Sequence, residues 1–222
     1  MTYVTEVTAD APVLWHRMEN NTNNSGSLSP TITASLSTYV LGQYGNAGSF
    51  TGTNYIQDAT TNAYYGTEWA VEAWFKCNSS ADYNTIVRRS GSQHVLLRVR
   101  GPGIGVEPNK LECYVAGNSG SVTSFTGPVV NDNAWHHTVL TQEGSSIKMY
   151  VDGALVASGA SVGTISSLTA AQQIGREASG TEYFYGTLDE VAIYNHALSS
   201  TRVSAHYNPP VVVTYKGWGL PL

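Results

Sequence analysis

Residues Ala134 to Ala157 read AWHHTVLTQEGSSIKMYVDGALVA, three alternating apolar and polar runs broken at Glu143-Gly144 and Asp152-Gly153. An Asp-Gly pair between such runs is a strong short hairpin signal, because a tight primed turn needs positive φ at its centre and glycine accepts it without steric cost. The stretch therefore predicts a β-meander. One face carries Val139, Ile147, Met149 and Val151, or their alternates, and a second sheet must cover it.

Outward from the meander, apolar runs recur between Gly, Asn, Ser and Pro clusters: Pro12 to Met18, Gly48 to Ile56, Trp69 to Cys77, Thr85 to Val87, Val95 to Val99, Leu111 to Val115, Gln173 to Gly175 and Phe184 to Tyr194. Nearly all read as strands. The best helical period is short, Leu198 to Tyr207 behind a capping Ser199. The expected fold is all-β, an antiparallel sandwich or jelly roll with at most one or two short helices. Asn20 to Ser37 and Gly117 to Gly127 read as long loops or irregular edge strands.

Trp74 and Trp135 fall in alternating strands and are expected to fill the gap between the sheets. In the run after Gly186, where the chain can bend, strict alternation puts Leu188, Glu190, Ala192 and Tyr194 on one face and Asp189, Val191 and Ile193 on the other. Residues 1–208 form one expected domain. Pro209-Pro210 stops the helix before an apolar extension, 209–222, which either completes the sheet or docks on a partner through Val211, Tyr215, Trp218 and Leu220.

Composition narrows the function. The chain has 222 residues, a net charge of -5 and only 12% charged residues, about half the usual share. No basic run is present to neutralise phosphates, which argues against nucleic acid. No apolar window reaches the length of a membrane span, and MTYVTEVTADAPVLW lacks the basic start and apolar core of a signal peptide, so the expectation is a cytoplasmic product. The sequons at Asn20, Asn23 and Asn78 then read as chance. Cys77 and Cys113 could be one bridge or two buried thiols, and thiols are preferred.

Catalytic patterns are weak. Glu68 and Glu72 lie four apart, which in a strand is about 13 Å on one face, too far for paired-carboxylate hydrolysis, and they read as the solvated side of a strand. Gly159 to Gly163 fits a nucleophile-elbow string without the strand and helix it needs. His136 and His137 point to opposite faces and cannot share a metal. Tyr64-Tyr65 in an otherwise polar loop, Tyr83 in SSADYNT and Tyr183-Phe184-Tyr185 in GTEYFYG are candidate sugar contacts, with Tyr64, Tyr65, Tyr183 and Tyr185 foremost.

Six blocks in order carry a resemblance: DAPVLWHRMEN at 10 to 20, GSFTGTNYI at 48 to 56, WAVEAWFK at 69 to 76, WHHTVLTQEGSSIKMYVDG at 135 to 153, IGR at 174 to 176 and FYGTLDEVAIYNHALSS at 184 to 200. Together they resemble the laminin G-like domains of the concanavalin A-like lectin/glucanase superfamily, over roughly Ala9 to Tyr207. The resemblance implies a sandwich, a packed histidine in the Trp-His-His block, and either no cofactor or a structural calcium ion held by Glu19 and Asp189. NNSGS at 23 to 27 departs from the acidic residue often found there; without calcium, Asp189 would accept backbone N–H bonds or pair with Arg176. The glucanase arrangement Glu-x-Asp-x-x-Glu is absent. The chain looks like the domains that bacteriophages carry on their particles. That implies a non-enzymatic virion protein, a capsid decoration or minor tail protein, homo-oligomeric, with virion proteins as partners and a possible glycan-binding face. The alternative is a free-standing carbohydrate-binding adhesion module, and a glycoside hydrolase comes third.

Overall fold

The computed structural model describes residues 2–59, 65–117, 120–166, 170–177 and 179–210. In chain order the strands are β1 (Leu14–His16), β2 (Thr31–Ala34), β3 (Tyr39–Leu41), β4 (Asn46–Thr51), β5 (Ile56–Ala59), β6 (Trp69–Lys76), β7 (Tyr83–Ser90), β8 (His94–Arg100), β9 (Lys110–Ala116), β10 (Val122–Val129), β11 (His136–Glu143), β12 (Ser146–Val151), β13 (Ala154–Ala160), β14 (Gln172–Ile174) and β15 (Tyr185–Tyr194). Two helices, α1 (Tyr3–Ala9) and α2 (Ser200–Tyr207), flank them. One sheet runs β13-β12-β11-β6-β15-β4-β3 with β1 on β15, and the other β10-β9-β8-β7-β14-β5-β2. The pairings are antiparallel, and the result is the expected sandwich.

The meander forms as its turns dictate. Asp152 and Gly153 take φ of 50° and 77°, the left-handed pair that a primed two-residue turn requires. Leu140 and Met149 pair across β11 and β12 and face the inter-sheet core with Ile147, opposite Ile86, Leu97, Leu111 and Val115 of the second sheet. Val139 does not join them. It pairs with Tyr150 on the outer face, in a second cluster with Tyr3, Val7, Ala70, Trp74, Tyr194 and Val203.

That second cluster corrects the expected place of the tryptophans. Residues 69, 71, 73 and 75 of β6 point between the sheets, so fully buried Trp69 fills the gap. Trp74 points the other way, beneath the helices, and half-buried Trp135 packs beside it. β6 is thus covered on both sides, and every residue from Trp69 to Phe75 is buried.

Helix α1 precedes the first strand, where the sequence carries no helical signal. Its sequence YVTEVTA is β-branched, which lowers helix propensity, but the Thr2 hydroxyl caps the Thr5 N–H at 3.3 Å and Tyr3 and Val7 enter the outer cluster together. Their four-residue spacing puts them on one face. α2 forms as expected, with Ser199 accepting the Arg202 N–H. Among the described residues no helix is long and apolar enough to cross a membrane. Cys77 and Cys113 are free and buried.

Alternation also fails in β15. Glu190 adopts φ 51°, and the register to β6 shifts between Asp189, opposite Trp74, and Ala192, opposite Glu72. This bulge inserts one residue and flips the faces that follow. Leu188, Val191 and Ile193 therefore point into the inter-sheet core, while Ala192 and Tyr194 join the outer cluster. Asp189, opposite Trp74, does not share a face with Val191 and Ile193. Gly186 stands at φ 144°, and an added Cβ would lie 2.3 Å from the Lys76 carbonyl oxygen. Gly186→Ala is expected to destabilise the fold by about 1–3 kcal/mol; an unchanged urea midpoint would show that the strands part freely there.

Candidate functional site

The run Thr181-Glu182-Tyr183-Phe184-Tyr185 builds one wall of a groove by alternation. Phe184 is buried, edge-on to Phe50 at 6.1 Å, and its N–H donates to the Gly175 carbonyl at 2.9 Å. Its neighbours Tyr183 and Tyr185 are thereby turned outward, and Tyr185 remains 44% exposed. Asp82, just before β7, and Tyr83, its first residue, form the opposite wall, and the open space measures about 450 Å³. Tyr185 lies against Gly52, where an added Cβ would fall 1.9 Å from the phenol ring.

One guanidinium orders the groove. Arg98 sits 3.7 Å over the Tyr83 ring, reaches both Glu182 oxygens at 2.9 and 3.1 Å, and donates from Nε to Glu112 at 2.7 Å. Three tyrosine rings with carboxylates at their rim offer flat faces and hydroxyl acceptors. The sequence pointed to Tyr83, Tyr183 and Tyr185, which the fold brings together. It missed Asp82 and Glu182, whose signal was an acid directly before Tyr83 and before Tyr183.

Other candidates fall elsewhere. Tyr65 is a correction: it is 2% exposed, stacks edge-on against Trp69 at 5.4 Å and donates its hydroxyl to Gln172. A ring that completes the inter-sheet core cannot also be a surface platform. Tyr64, Val211, Tyr215, Trp218 and Leu220 lie outside the described residues.

Glu72 is a second correction. It is not solvated but fully buried, because the helices roof the face on which it stands. Its carboxylate accepts from the Tyr3 and Tyr194 hydroxyls at 3.1 and 2.7 Å, from His137 Nε2 at 2.7 Å, and from His206 Nδ1 at 3.0 Å. Burial alone would raise its pKa, but the His206 charge and the two histidine hydrogen bonds hold it well below the usual carboxylate range. Glu68 is exposed and outside β6. His136 turns to Asp152 at 2.8 Å while His137 turns to Glu72, on opposite faces as alternation requires.

The family model of the concanavalin A-like lectin/glucanases superfamily, in its laminin G form, matches residues 50–204. The chain belongs to this superfamily. None of the curated proteins matches the sequence. Among solved structures, the binding domain of Paraclostridial Mosquitocidal Protein 1 is 12% identical with a TM-score of 0.71, over 90% of this chain and 52% of that one. Domain 4 of AbnA, a GH43 extracellular arabinanase from Geobacillus stearothermophilus solved with arabinotriose, is 17% identical with a TM-score of 0.69, over 89% of this chain and 98% of that one. The binding domain of botulinum neurotoxin serotype D is 16% identical with a TM-score of 0.68, over 89% of this chain and 50% of that one. The chain thus spans about half the length of the two toxin domains. At these identities the likeness shows the fold alone.

In this superfamily member, Glu19 and Asp189 grip one hairpin. Asp189 Oδ2 accepts the Gln43 and Tyr44 N–H groups at 2.9 and 3.0 Å, and Glu19 Oε2 accepts the Asn46 N–H at 2.9 Å. Glu19 Oε1 takes Arg17 at 3.3 Å; Arg176 instead binds Gln57 and Gln173. Calcium wants six to eight oxygens, yet no group of three His, Cys, Asp or Glu gathers among the described residues, and three of these four carboxylate oxygens already face N–H donors. The arrangement does not fit calcium. The one unpartnered oxygen, buried Asp189 Oδ1, suits a protonated carboxyl: burial pushes Asp189 up to about 7, with the Glu19 charge adding to it against the opposing amides.

Glu190 behaves alike. Burial, then the Asp189 charge, push it up to about 8, although Arg17 and the Trp15 indole oppose this. His206, for which burial favours the neutral form, is raised by Glu72. A group whose folded pKa exceeds its unfolded value stabilises below the unfolded pKa and loses that contribution as pH rises through the folded one. All three therefore act in the same direction, and the melting temperature is expected to fall from about pH 4.5, the unfolded carboxyl range, to about pH 8, where the last of the two carboxyls has ionised in the folded state. Asp189→Asn should flatten the profile, and calcium or a chelator should leave it unmoved. A calcium-dependent rise at alkaline pH would restore the metal assignment.

Proposed function

We propose that this protein is a non-catalytic carbohydrate-binding module whose ligand lies in the groove of Tyr83, Tyr183 and Tyr185. The observation that carries this reading is the outward projection of Tyr183 and Tyr185 by buried Phe184, opposite Tyr83 and with Asp82 and Glu182 at the rim. Aromatic faces take the C–H side of a sugar, and carboxylates accept its hydroxyls. Arg98 holds Tyr83 and Glu182 in place before any ligand arrives, which reduces the ordering cost of binding. The AbnA domain, solved with a sugar, lends the reading support by analogy of fold.

A glycan array followed by titration calorimetry tests it. Each of Tyr183→Ala and Tyr185→Ala is expected to cost about 1 kcal/mol of binding, roughly fivefold in affinity. Undiminished affinity in the double variant would discard the groove.

The finer placement is a bacteriophage virion, as a capsid decoration or minor tail protein that presents this face to a host surface. It rests on the resemblance of the sequence to laminin G-like domains borne on phage particles. Mass spectrometry of purified particles checks it, and absence from them would leave the free-standing adhesion module.

A further inference from the structure

A second cavity, of about 540 Å³, opens beside α2 and shares no residue with the tyrosine groove. It is lined by Gln43, Trp74, Trp135, Tyr207 and Asn208, none of them charged. Trp74, only 2% exposed, stacks with Tyr207 at 5.8 Å and 15° and leans on His137 at 4.9 Å. Trp135 is half-buried, and Tyr207 is 38% exposed.

Two features in and beside this cavity lack hydrogen-bond partners among the described residues. The Trp74 indole N–H and, against the same ring, His137 Nδ1 are buried with no hydrogen-bond partner among the described residues. Native structures leave few such groups, and each asks for an acceptor or donor. The Gln43 and Asn208 side chains are exposed and make no hydrogen bond among the described residues, where only their backbone N–H groups are used. Each carboxamide offers two donors and an acceptor.

Aromatic rings and exposed carboxamides, without charge, are the chemistry that recognises a neutral sugar ring. We propose that this cavity is a second carbohydrate site, which takes one neutral pyranose unit between Trp135 and Tyr207 with its hydroxyls on Gln43 and Asn208. The size lies within the roughly 300–1,000 Å³ of small-molecule sites. The proposal does not depend on the tyrosine groove. Two sites on one module would raise avidity for a repeating glycan.

The test uses the ¹⁵N-labelled full chain and the indole cross-peak of Trp74, identified by its loss in Trp74→Phe. Glucose, galactose, mannose and N-acetylglucosamine are titrated singly into the millimolar range. At least one should move that peak saturably, equally so in the Tyr183→Ala, Tyr185→Ala double variant. Gln43→Ala and Trp135→Ala, checked for folding by circular dichroism, should each weaken the response roughly tenfold. The exposed Gln43 variant keeps the test decisive if Trp135→Ala misfolds. No response to any of the four sugars overturns the proposal, as does a response that survives Gln43→Ala unweakened. Loss of the response in the tyrosine double variant would place the sugar in the groove instead. A Trp74 peak that moves on deletion of Val211 to Leu222 but ignores sugar would assign the cavity to the chain's own end and likewise overturn it.

Discussion

Replacing Glu72 by alanine is expected to destabilise the protein by about 3–5 kcal/mol, the usual cost of breaking a buried charge network from one side. Such a loss is a large part of the 5–15 kcal/mol typical of a domain. Two tyrosine hydroxyls and two imidazoles, drawn from α1, β11, β15 and α2, all aim at this one carboxylate on β6. Without it, four buried polar groups lose their partner together, and the helices lose the anchor that seats them on the sheet. Glu72→Gln keeps the volume but turns an N–H toward other donors, and should fall between wild type and alanine. The acid side is also specified. A carboxyl held below its unfolded pKa stabilises above about 4.5 and loses that contribution as the pH falls further, so the alanine variant should show a shallower acid limb. Urea unfolding at several pH values measures both. A Glu72→Ala variant within about 1 kcal/mol of wild type would mean that the network contributes nothing to stability.

Trp69→Ala should cost a similar amount, about 3–5 kcal/mol, because the ring is fully enclosed between the sheets and meets Tyr65 edge to face. Trp135→Ala, at the half-buried margin of the other cluster, should cost less. Trp69→Phe separates packing from polarity. Among the described residues the Trp69 indole N–H is buried without a partner, so the swap removes some volume but no hydrogen bond seen there, and should cost less than Trp69→Ala. Denaturant midpoints ranked Trp69→Ala below Trp135→Ala would support this assignment of the inter-sheet core. The reverse order would return that role to the region of Trp135.

The meander was legible because its two glycine turns and period-two pattern reinforce each other. In Trp69 to Phe75 the same logic had nothing to grip: WAVEAWF is apolar at nearly every position, so parity gives no sign of which tryptophan faces which side. Its one acid looked solvated because an uncovered antiparallel sheet is wet on one face, and the covering helix α1 is written in β-branched residues that disguise it. The bulge at Glu190 was equally hidden, since glutamate carries no mark of a left-handed backbone as glycine does. The tyrosine groove was half legible. Tyr-Phe-Tyr alternation announces two outward rings, whereas Tyr83 and Asp82 meet them only through tertiary closure.

The helical roof couples the two ends of the described chain. Tyr3 and His206 lie with their rings 6.1 Å apart, and Arg202 reaches back to Glu6 and Asp10 at 2.8 Å. A pull applied between these ends would load that clasp first, before any strand of the sandwich, so the helices would peel off under tension while the grooved sheets behind them kept their shape.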